Sequence, residues 1–573
     1  MAPDVASLRG RVQNTLRLNP GPIAELIAAH SKEAERTAGG LYRREPSAWS
    51  DAADVQKKVA NRLGWMGSPQ LMLSDIPRLL AFAESVRQDG FSDVVLLGMG
   101  GSSLAPEVLR AILGVSPGCP RLHMLDSTDP ASVRATATPP VTTLYVLASK
   151  SGTTIEPNSL AAHYKRTLHD AGVGAWARQF VAITDPGTAL ERRARAEGFR
   201  DLFLNPADIG GRYSALSFFG MVPAALMGQD IEAIISWGLA MLAASEPGYG
   251  EATSNPSVAL GLALGAGAKG GRDKMTLIGP PQFEPFGLWV EQLIAESTGK
   301  SGKGIVPIAG EPIGAPEVYD RDRLFVRLRS GRTSTTDVAA TGAPLLEIDI
   351  VEPAALGAEF VRWEIATAVA GALLQINPFD EPNVQQAKDA TRVLLDAYKK
   401  DNRLPLPAVD HRLIGGTTLS LTSAARKYAT ADDAAALVSA LRSGDYFGLL
   451  AYLPSHDEDI ARELQTLRRA VRDRARVATM LGYGPRYLHS TGQLYKGGPN
   501  TGVFLVISAT PTADLEIPGE PFSFGTLEQA QAIGDFQSLD ATGRRAMLAH
   551  LPSPTATHVR ELAAAVLGAV SQG

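Results

Sequence analysis

Apolar residues along this chain gather in short unbroken runs separated by stretches with helical spacing. Asp93-Val-Val-Leu-Leu97 is followed by a helical pattern from Leu104 to Leu113, then by the runs Thr143-Leu-Tyr-Val-Leu-Ala148 and Phe180-Val-Ala-Ile-Thr184. Apolar runs without polar alternation fit strands covered on both faces, and strands that alternate with helices predict a parallel, doubly wound sheet. The pattern restarts after a glycine-rich stretch from Gly265 to Gly271. Met275-Thr-Leu-Ile-Gly279, Leu324-Phe-Val-Arg-Leu-Arg329 and Leu345-Leu-Glu-Ile-Asp-Ile350 then predict a second α/β unit. The expected organisation is a helical N-terminal segment over 1–80, a first α/β domain over 81–245, a second over 246–404, and a C-terminal α+β extension over 405–573. That extension shows a charged helical pattern from Asp457 to Arg476 and one clear strand, Thr501-Gly-Val-Phe-Leu-Val-Ile507. No short internal repeat stands out, which argues against a solenoid.

Composition narrows the function classes. With 573 residues the chain is too long for one core and predicts two or more domains. Hydrophobic residues at 45% and charged residues at 20% argue against wholesale disorder. No apolar run reaches the ~18 residues of a membrane span. A formal charge of -5 gives no general attraction to nucleic acid or to an anionic membrane, so any affinity for phosphate has to be local. The start, Met1-Ala-Pro-Asp-Val, lacks the layout of a signal peptide, and the lone Cys119 cannot form an internal disulfide; a reducing cytoplasm is the expected compartment.

Two loops suit an anion. Gly98-Met-Gly-Gly-Ser-Ser103 follows a predicted strand and opens a helix with Pro106 near its start, so free backbone amides converge there. Its spacing matches neither the dinucleotide fingerprint nor a P-loop. After the second strand, Ser149-Lys-Ser-Gly-Thr-Thr154 opens another helix, with Pro157 in its first turn, and five of its six residues carry a hydroxyl or ammonium donor. Several donors around one space suit the three oxygens of a phosphate monoester. Each loop alone could be a capped, solvated turn. Two at the carboxyl ends of successive parallel strands mark the edge where open α/β sheets bind ligands.

Further motifs add chemistry. Asp208-Ile-Gly-Gly-Arg-Tyr-Ser214 sets Arg212 in a glycine-flanked turn, where a planar cation can meet an oxyanion. In Phe286-Gly-Leu-Trp-Val-Glu-Gln-Leu-Ile-Ala-Glu-Ser297, Gln292 and Glu296 lie four residues apart and hence on one helix face. Asn377-Pro-Phe-Asp-Glu-Pro-Asn-Val-Gln-Gln-Ala-Lys388 starts a further helix that Asp380 could cap. Taken singly, Arg212 could be a surface residue, Glu296 an exposed carboxylate and Lys388 a solvated one.

Together these segments resemble the phosphoglucose isomerases. The resemblance covers roughly residues 60 to 510 and implies two sugar isomerase domains and reversible conversion of glucose 6-phosphate to fructose 6-phosphate. Glu296 would shuttle a proton between C2 and C1 through an enediolate that Arg212 stabilises, and Lys388 would assist ring opening. Ser102, Ser149, Lys150, Ser151 and Thr154 would hold the phosphate, Gly101 would let its backbone approach the sugar, and Gln292 would contact the ligand. No metal or organic cofactor is required, and a homodimer is the usual assembly.

Two departures from the family pattern matter. Glu381 stands where the family commonly has glutamine, and it could pair with Lys388 or alter which sugar is accepted. The common ring-opening histidine is missing after Gly310-Glu-Pro-Ile-Gly-Ala315. Tyr487-Leu-His-Ser-Thr-Gly-Gln-Leu-Tyr-Lys-Gly-Gly498 holds His489 and Gln493 far downstream and is similar to the missing element, so His489 is expected to open the ring, with Gln493 on the substrate. This C-terminal signature is similar to the isomerase half of bifunctional transaldolase and phosphoglucose isomerase chains, but no residues remain here for a barrel of ~250. Competing readings are a non-catalytic sugar-phosphate sensor and an isomerase for another phosphosugar such as mannose 6-phosphate.

Overall fold

The computed structural model describes residues 4–248, 251–331, 338–428 and 436–568. The N-terminal segment is helical over Val5–Val12, Ala24–Tyr42, Ala53–Ala60 and Ser68–Gln88, but it also contains a short strand, β1 (Leu16–Asn19), whose residues alternate in exposure.

Strands β2 (Asp93–Gly98), β3 (Arg121–Leu125), β4 (Thr143–Ala148), β5 (Phe180–Thr184) and β6 (Asp201–Leu204) form an all-parallel sheet in the order β3-β2-β4-β5-β6. The unbroken apolar runs are explained by cover on both faces. Val94 and Leu96 enter a core shared with the N-terminal and central helices, while Val95 and Leu97 face the Ile155–Asp170 and Phe524–Ala541 helices. The chain leaves β2 first toward β3 and then returns to β4 on the other side. This reversal opens a crevice at the carboxyl ends of β2 and β4, where the two loops rich in donors lie.

Strands β7 (Lys274–Ile278), β8 (Val306–Ile308), β9 (Arg323–Arg329) and β10 (Leu345–Asp349) pair in parallel in the order β10-β9-β7-β8, and β1 adds antiparallel to β10. The N-terminal segment thus completes the second sheet, which its helical reading did not anticipate. The glycine-rich stretch before β7 is mostly the buried Val258–Lys269 helix.

The C-terminal extension holds more sheet than its one clear strand foretold. Strands β11 (His411–Arg412), β12 (Thr418–Leu421), β13 (Tyr446–Ala451), β14 (Ala478–Tyr483), β15 (Gly502–Ala509) and β16 (Arg545–Leu551) follow the order β11-β12-β16-β15-β13-β14, with β16, β15, β13 and β14 mutually parallel. One face packs on the Glu458–Ala475 and Ala556–Val566 helices. The other meets β8, Ala295 and the segment Tyr487–Tyr495. A third α/β layer therefore rests against the second sheet and carries the loop between β14 and β15 toward the first.

Candidate active site

The Gly98–Ser103 loop is where three parts of the chain converge. A Cβ on Gly101 would sit 2.0 Å from the Gly211 carbonyl oxygen, and one on Gly100, where φ is +55°, would sit 2.3 Å from the His489 carbonyl oxygen. Only glycine lets the arginine turn and the histidine segment both close on this loop backbone to backbone.

The result is a cleft of about 500 Å³. Gly101, Ser102, Ser149, Lys150, Ser151, Thr154, Arg212, Gln292, Glu296, Glu381, Lys388 and His489 all line it. At one end the hydroxyl turn is organised by its own hydrogen bonds. Ser149 Oγ accepts from the Gly152 amide (3.1 Å) and lies 3.0 Å from Thr154 Oγ1. Lys150 is paired with Asp185 and donates to the Ala207 carbonyl at 3.0 Å. Arg62, from the N-terminal segment, lines the same cleft, although no motif singled it out.

At the other end Arg212 is 2% exposed and fully engaged. Its Nε donates to Ser297 Oγ (2.8 Å), and its Nη2 donates to the carbonyls of Pro378 (2.8 Å) and Asp380 (2.9 Å). Nη1 lies 3.2 Å from Glu296 Oε1 and 3.0 Å from Glu381 Oε2. Burial alone would lower the arginine pKa, but the two carboxylates outweigh it and hold the pKa above the ordinary value. Arg212 is a buried, ion-paired residue rather than a surface one.

Glu296 is likewise not an exposed carboxylate. The Phe286–Thr298 helix is buried on nearly every side, and Glu296 itself is 9% exposed. Gln292 Nε2 donates to Glu296 Oε2 (3.1 Å) and to the His489 carbonyl (2.9 Å), which confirms the shared face that the four-residue spacing predicts. Burial pushes the Glu296 carboxyl up from the ordinary glutamate range; Arg212 opposes this and Glu381 adds to it. Behind it, Lys300 donates to the Asn377 carbonyl and to Asp380 Oδ1, both at 2.8 Å, and so ties the end of the Phe286–Thr298 helix to the 377–383 loop.

His489 enters from the loop after β14. Its Nε2 lies 2.8 Å from Oε1 of Glu156, a buried carboxylate on the first turn of the Ile155–Asp170 helix. Burial would raise the Glu156 pKa, but the charge and hydrogen bond of His489 more than offset it and bring the pKa below the usual range. Sequence reasoning missed Glu156. Its signal was present two residues after Thr154, but an acidic residue in a first helical turn already has an ordinary explanation in the helix dipole.

Three expectations need correction. Glu381 pairs with Arg212 rather than Lys388, because the 377–383 loop lies over the guanidinium. Asp380 does not cap the following helix: Asn383 is the N-cap of Val384–Asp401, and Lys300 holds Asp380 instead. Gln493 is not a cleft residue. It is wholly buried, accepts from the Asn383 amide (2.8 Å), and donates to Gly299 O (2.9 Å) and Asn383 Oδ1 (2.8 Å). With every polar atom engaged, it clamps two site-forming segments from behind.

A doubly wound sheet with a phosphate-suited switch point, and a buried carboxylate–guanidinium pair beside it, define a sugar-phosphate isomerase type of protein. Comparison with known proteins makes this specific. The family model for phosphoglucose isomerase matches residues 84–242. A glucose-6-phosphate isomerase of Rubrobacter xylanophilus is 30% identical over 410 residues, covering 62% of this chain and 94% of that one. One of Trichormus variabilis is 25% identical over 511 residues, covering 77% and 95%. The crystal structure of a hypothetical protein from Thermus thermophilus shares the fold, with a TM-score of 0.54 and 24% identity over 66% of this chain and 99% of that one. This chain belongs to the phosphoglucose isomerase family.

Proposed function

We propose that the chain interconverts glucose 6-phosphate and fructose 6-phosphate by ring opening and proton transfer through an enediolate. The observation that carries this reading is the Glu296 carboxylate held 3.2 Å from Arg212 Nη1 in the same cleft as the Ser149–Thr154 turn. In this assignment the phosphate lies among Ser102, Ser149, Lys150, Ser151 and Thr154, with Arg62 beside them and the Gly101 backbone against the sugar.

His489 acts first. A carboxylate on Nε2 keeps the proton there, so Nδ1 is the nitrogen that exchanges a proton with the ring oxygen. Lys388 assists at the same end. Glu296 then removes the proton from C2, and the negative oxygens of the enediolate draw on the fixed charge of Arg212. The same carboxylate returns the proton to C1. Burial supports this role, because a base works best when its pKa approaches the working pH. Gln292 and Glu381 complete the wall around the reacting carbons.

All of these groups come from one chain, so the chemistry as assigned needs no partner residue; a homodimer is the proposed assembly. Among the described residues no helix is long and apolar enough to cross a membrane, and a cytoplasmic site of action is proposed.

The test is turnover of fructose 6-phosphate without added cofactor. Glu296→Gln should lower kcat by about 10³-fold, within the span of general acid–base catalysis, and leave sugar-phosphate binding intact. Binding without turnover in the unaltered protein would refute the enzyme reading, and a preference for mannose 6-phosphate would refute the substrate.

A further inference from the structure

We propose that Gln531 is a positioning residue for His489 that acts through Glu156, so that the Phe524–Ala541 helix is part of the ring-opening machinery. The inference rests on the ring-opening role given to His489 above.

Gln531 is 2% exposed and lies in the C-terminal extension, 375 positions from Glu156. Its Nε2 donates to Glu156 Oε1 at 2.7 Å, the same oxygen that lies 2.8 Å from His489 Nε2. A glutamine amide has a donor end and an acceptor end, so something has to choose which end faces the carboxylate. Thr128, wholly buried in the loop after β3, donates its hydroxyl to Gln531 Oε1 at 2.7 Å. That bond leaves the amide N–H pointing at Glu156.

The carboxylate is thus held by two side-chain donors, one neutral and one the imidazole. Each donor makes a buried carboxylate less costly to ionise, and a second one on the same oxygen restricts its rotation. A fixed acceptor holds the proton on Nε2 and turns Nδ1 to the substrate.

The same helix grips the histidine segment independently. Asp535, one turn beyond Gln531 and on the same face, accepts from Tyr487 Oη (2.5 Å) and pairs with Lys496 (2.5 Å). Tyr487 belongs to the turn Arg486–His489, and Lys496 to the Gly492–Gly497 helix that follows. Two side chains of one helix therefore set the carboxylate and the imidazole relative to each other. A purely structural glutamine would need neither bond to converge on the histidine.

Ring opening can be measured alone, as enzyme-catalysed exchange between the α and β anomers of glucose 6-phosphate, in a Glu296→Gln background that cannot isomerise. Exchange NMR on that protein, with and without Gln531→Leu, reads the step directly. The expected result is a loss of about tenfold in anomer exchange, a fraction of what a general acid contributes. Affinity for inorganic phosphate should stay within about twofold, since the hydrogen bonds of Gln531 go to Thr128, Glu156 and Tyr452 and not to the Ser149–Thr154 turn.

Unchanged exchange would overturn the proposal, as would a parallel loss of exchange and phosphate affinity, the mark of a merely structural role. If the background protein with Gln531 intact shows no exchange above the uncatalysed rate, the ring-opening role of His489 falls and takes the proposal with it. Thr128→Val, which removes only the hydroxyl that orients the amide, is the second variant and decides the matter should Gln531→Leu not fold. It should cost about threefold in exchange with phosphate affinity retained, and no loss would count against the proposal.

Discussion

Glu381→Gln isolates the effect of one charge on Glu296, the proposed base. Glu381 and Glu296 share Arg212 Nη1, at 3.0 and 3.2 Å, so their accepting oxygens lie roughly 5 to 6 Å apart, a separation at which two unit charges interact by roughly 3 kcal/mol at an effective dielectric of 20. The Glu381 side chain is 37% exposed, so solvent screening brings this to about 1.4 kcal/mol, or about one pK unit. The sign follows from the charge: an anionic neighbour disfavours the ionised base, so removing it lowers the pKa of Glu296. The base works deprotonated, and the acid limb of kcat/KM should therefore move down by about one pH unit. The plateau rate should fall about threefold, because a weaker base transfers protons less readily. The assay is initial rates from pH 5 to 9 for both proteins. Titration of the substrate phosphate, with a pKa near ~6, is common to both and cancels in the difference. A limb that stays in place or moves up would refute the reasoning, because it would mean that Arg212 and solvent hide the two carboxylates from each other.

Two further predictions follow from packing and burial. Gly101→Ala would force a Cβ to within 2.0 Å of the Gly211 carbonyl oxygen, so the arginine turn has to move; kcat/KM should fall by about 10²-fold, and a variant within threefold of the parent would show that the loops yield freely. Burial pushes the Glu291 carboxyl up to about 7 from 4.5. A carboxyl raised in the fold costs nothing below pH 4.5, costs progressively more as the unfolded chain ionises, and costs about 3 kcal/mol in full above pH 7. Glu291→Gln should therefore raise the thermal midpoint at pH 8 and raise it far less at pH 5; equal shifts at both would show that charge is not the cause.

The sequence revealed most where local pattern and local chemistry coincide. Runs buried on both faces identified β2, β4 and β5 almost to the residue, and the loops after β2 and β4 could be assigned because donors follow strands there directly. The four-residue spacing of Gln292 and Glu296 survived because helix geometry is local. Partners far apart in the chain were another matter. Lys388 seemed a natural mate for Glu381 at seven residues, whereas Arg212 lies 169 positions away. Gln493 has a donor and an acceptor that suit a ligand equally well, and only the packing reveals that Gly299 and Asn383 use them. Strand β1, four residues long and antiparallel at an edge, shows too short an alternation to stand out from helical surroundings. The C-terminal strands β13, β14 and β16 carry apolar runs like those of the first sheet, but a glycine in β13 and another in β14 weaken the pattern.

The histidine segment travels from the third sheet to a cleft founded on the first. During synthesis the Ser149–Thr154 turn and Arg212 emerge first, but the groups that hold Arg212, from Glu296 to Glu381, and the Phe524–Ala541 helix that covers one face of the first sheet follow only later. His489, the proposed ring-opening group, and Gln531, which is proposed to position it, leave the ribosome last among the groups assigned to this chemistry. A chain released before the Phe524–Ala541 helix lacks the Gln531 and Asp535 contacts to Glu156 and the Tyr487 segment, so the proposed ring-opening group would be the last part of the site to be secured.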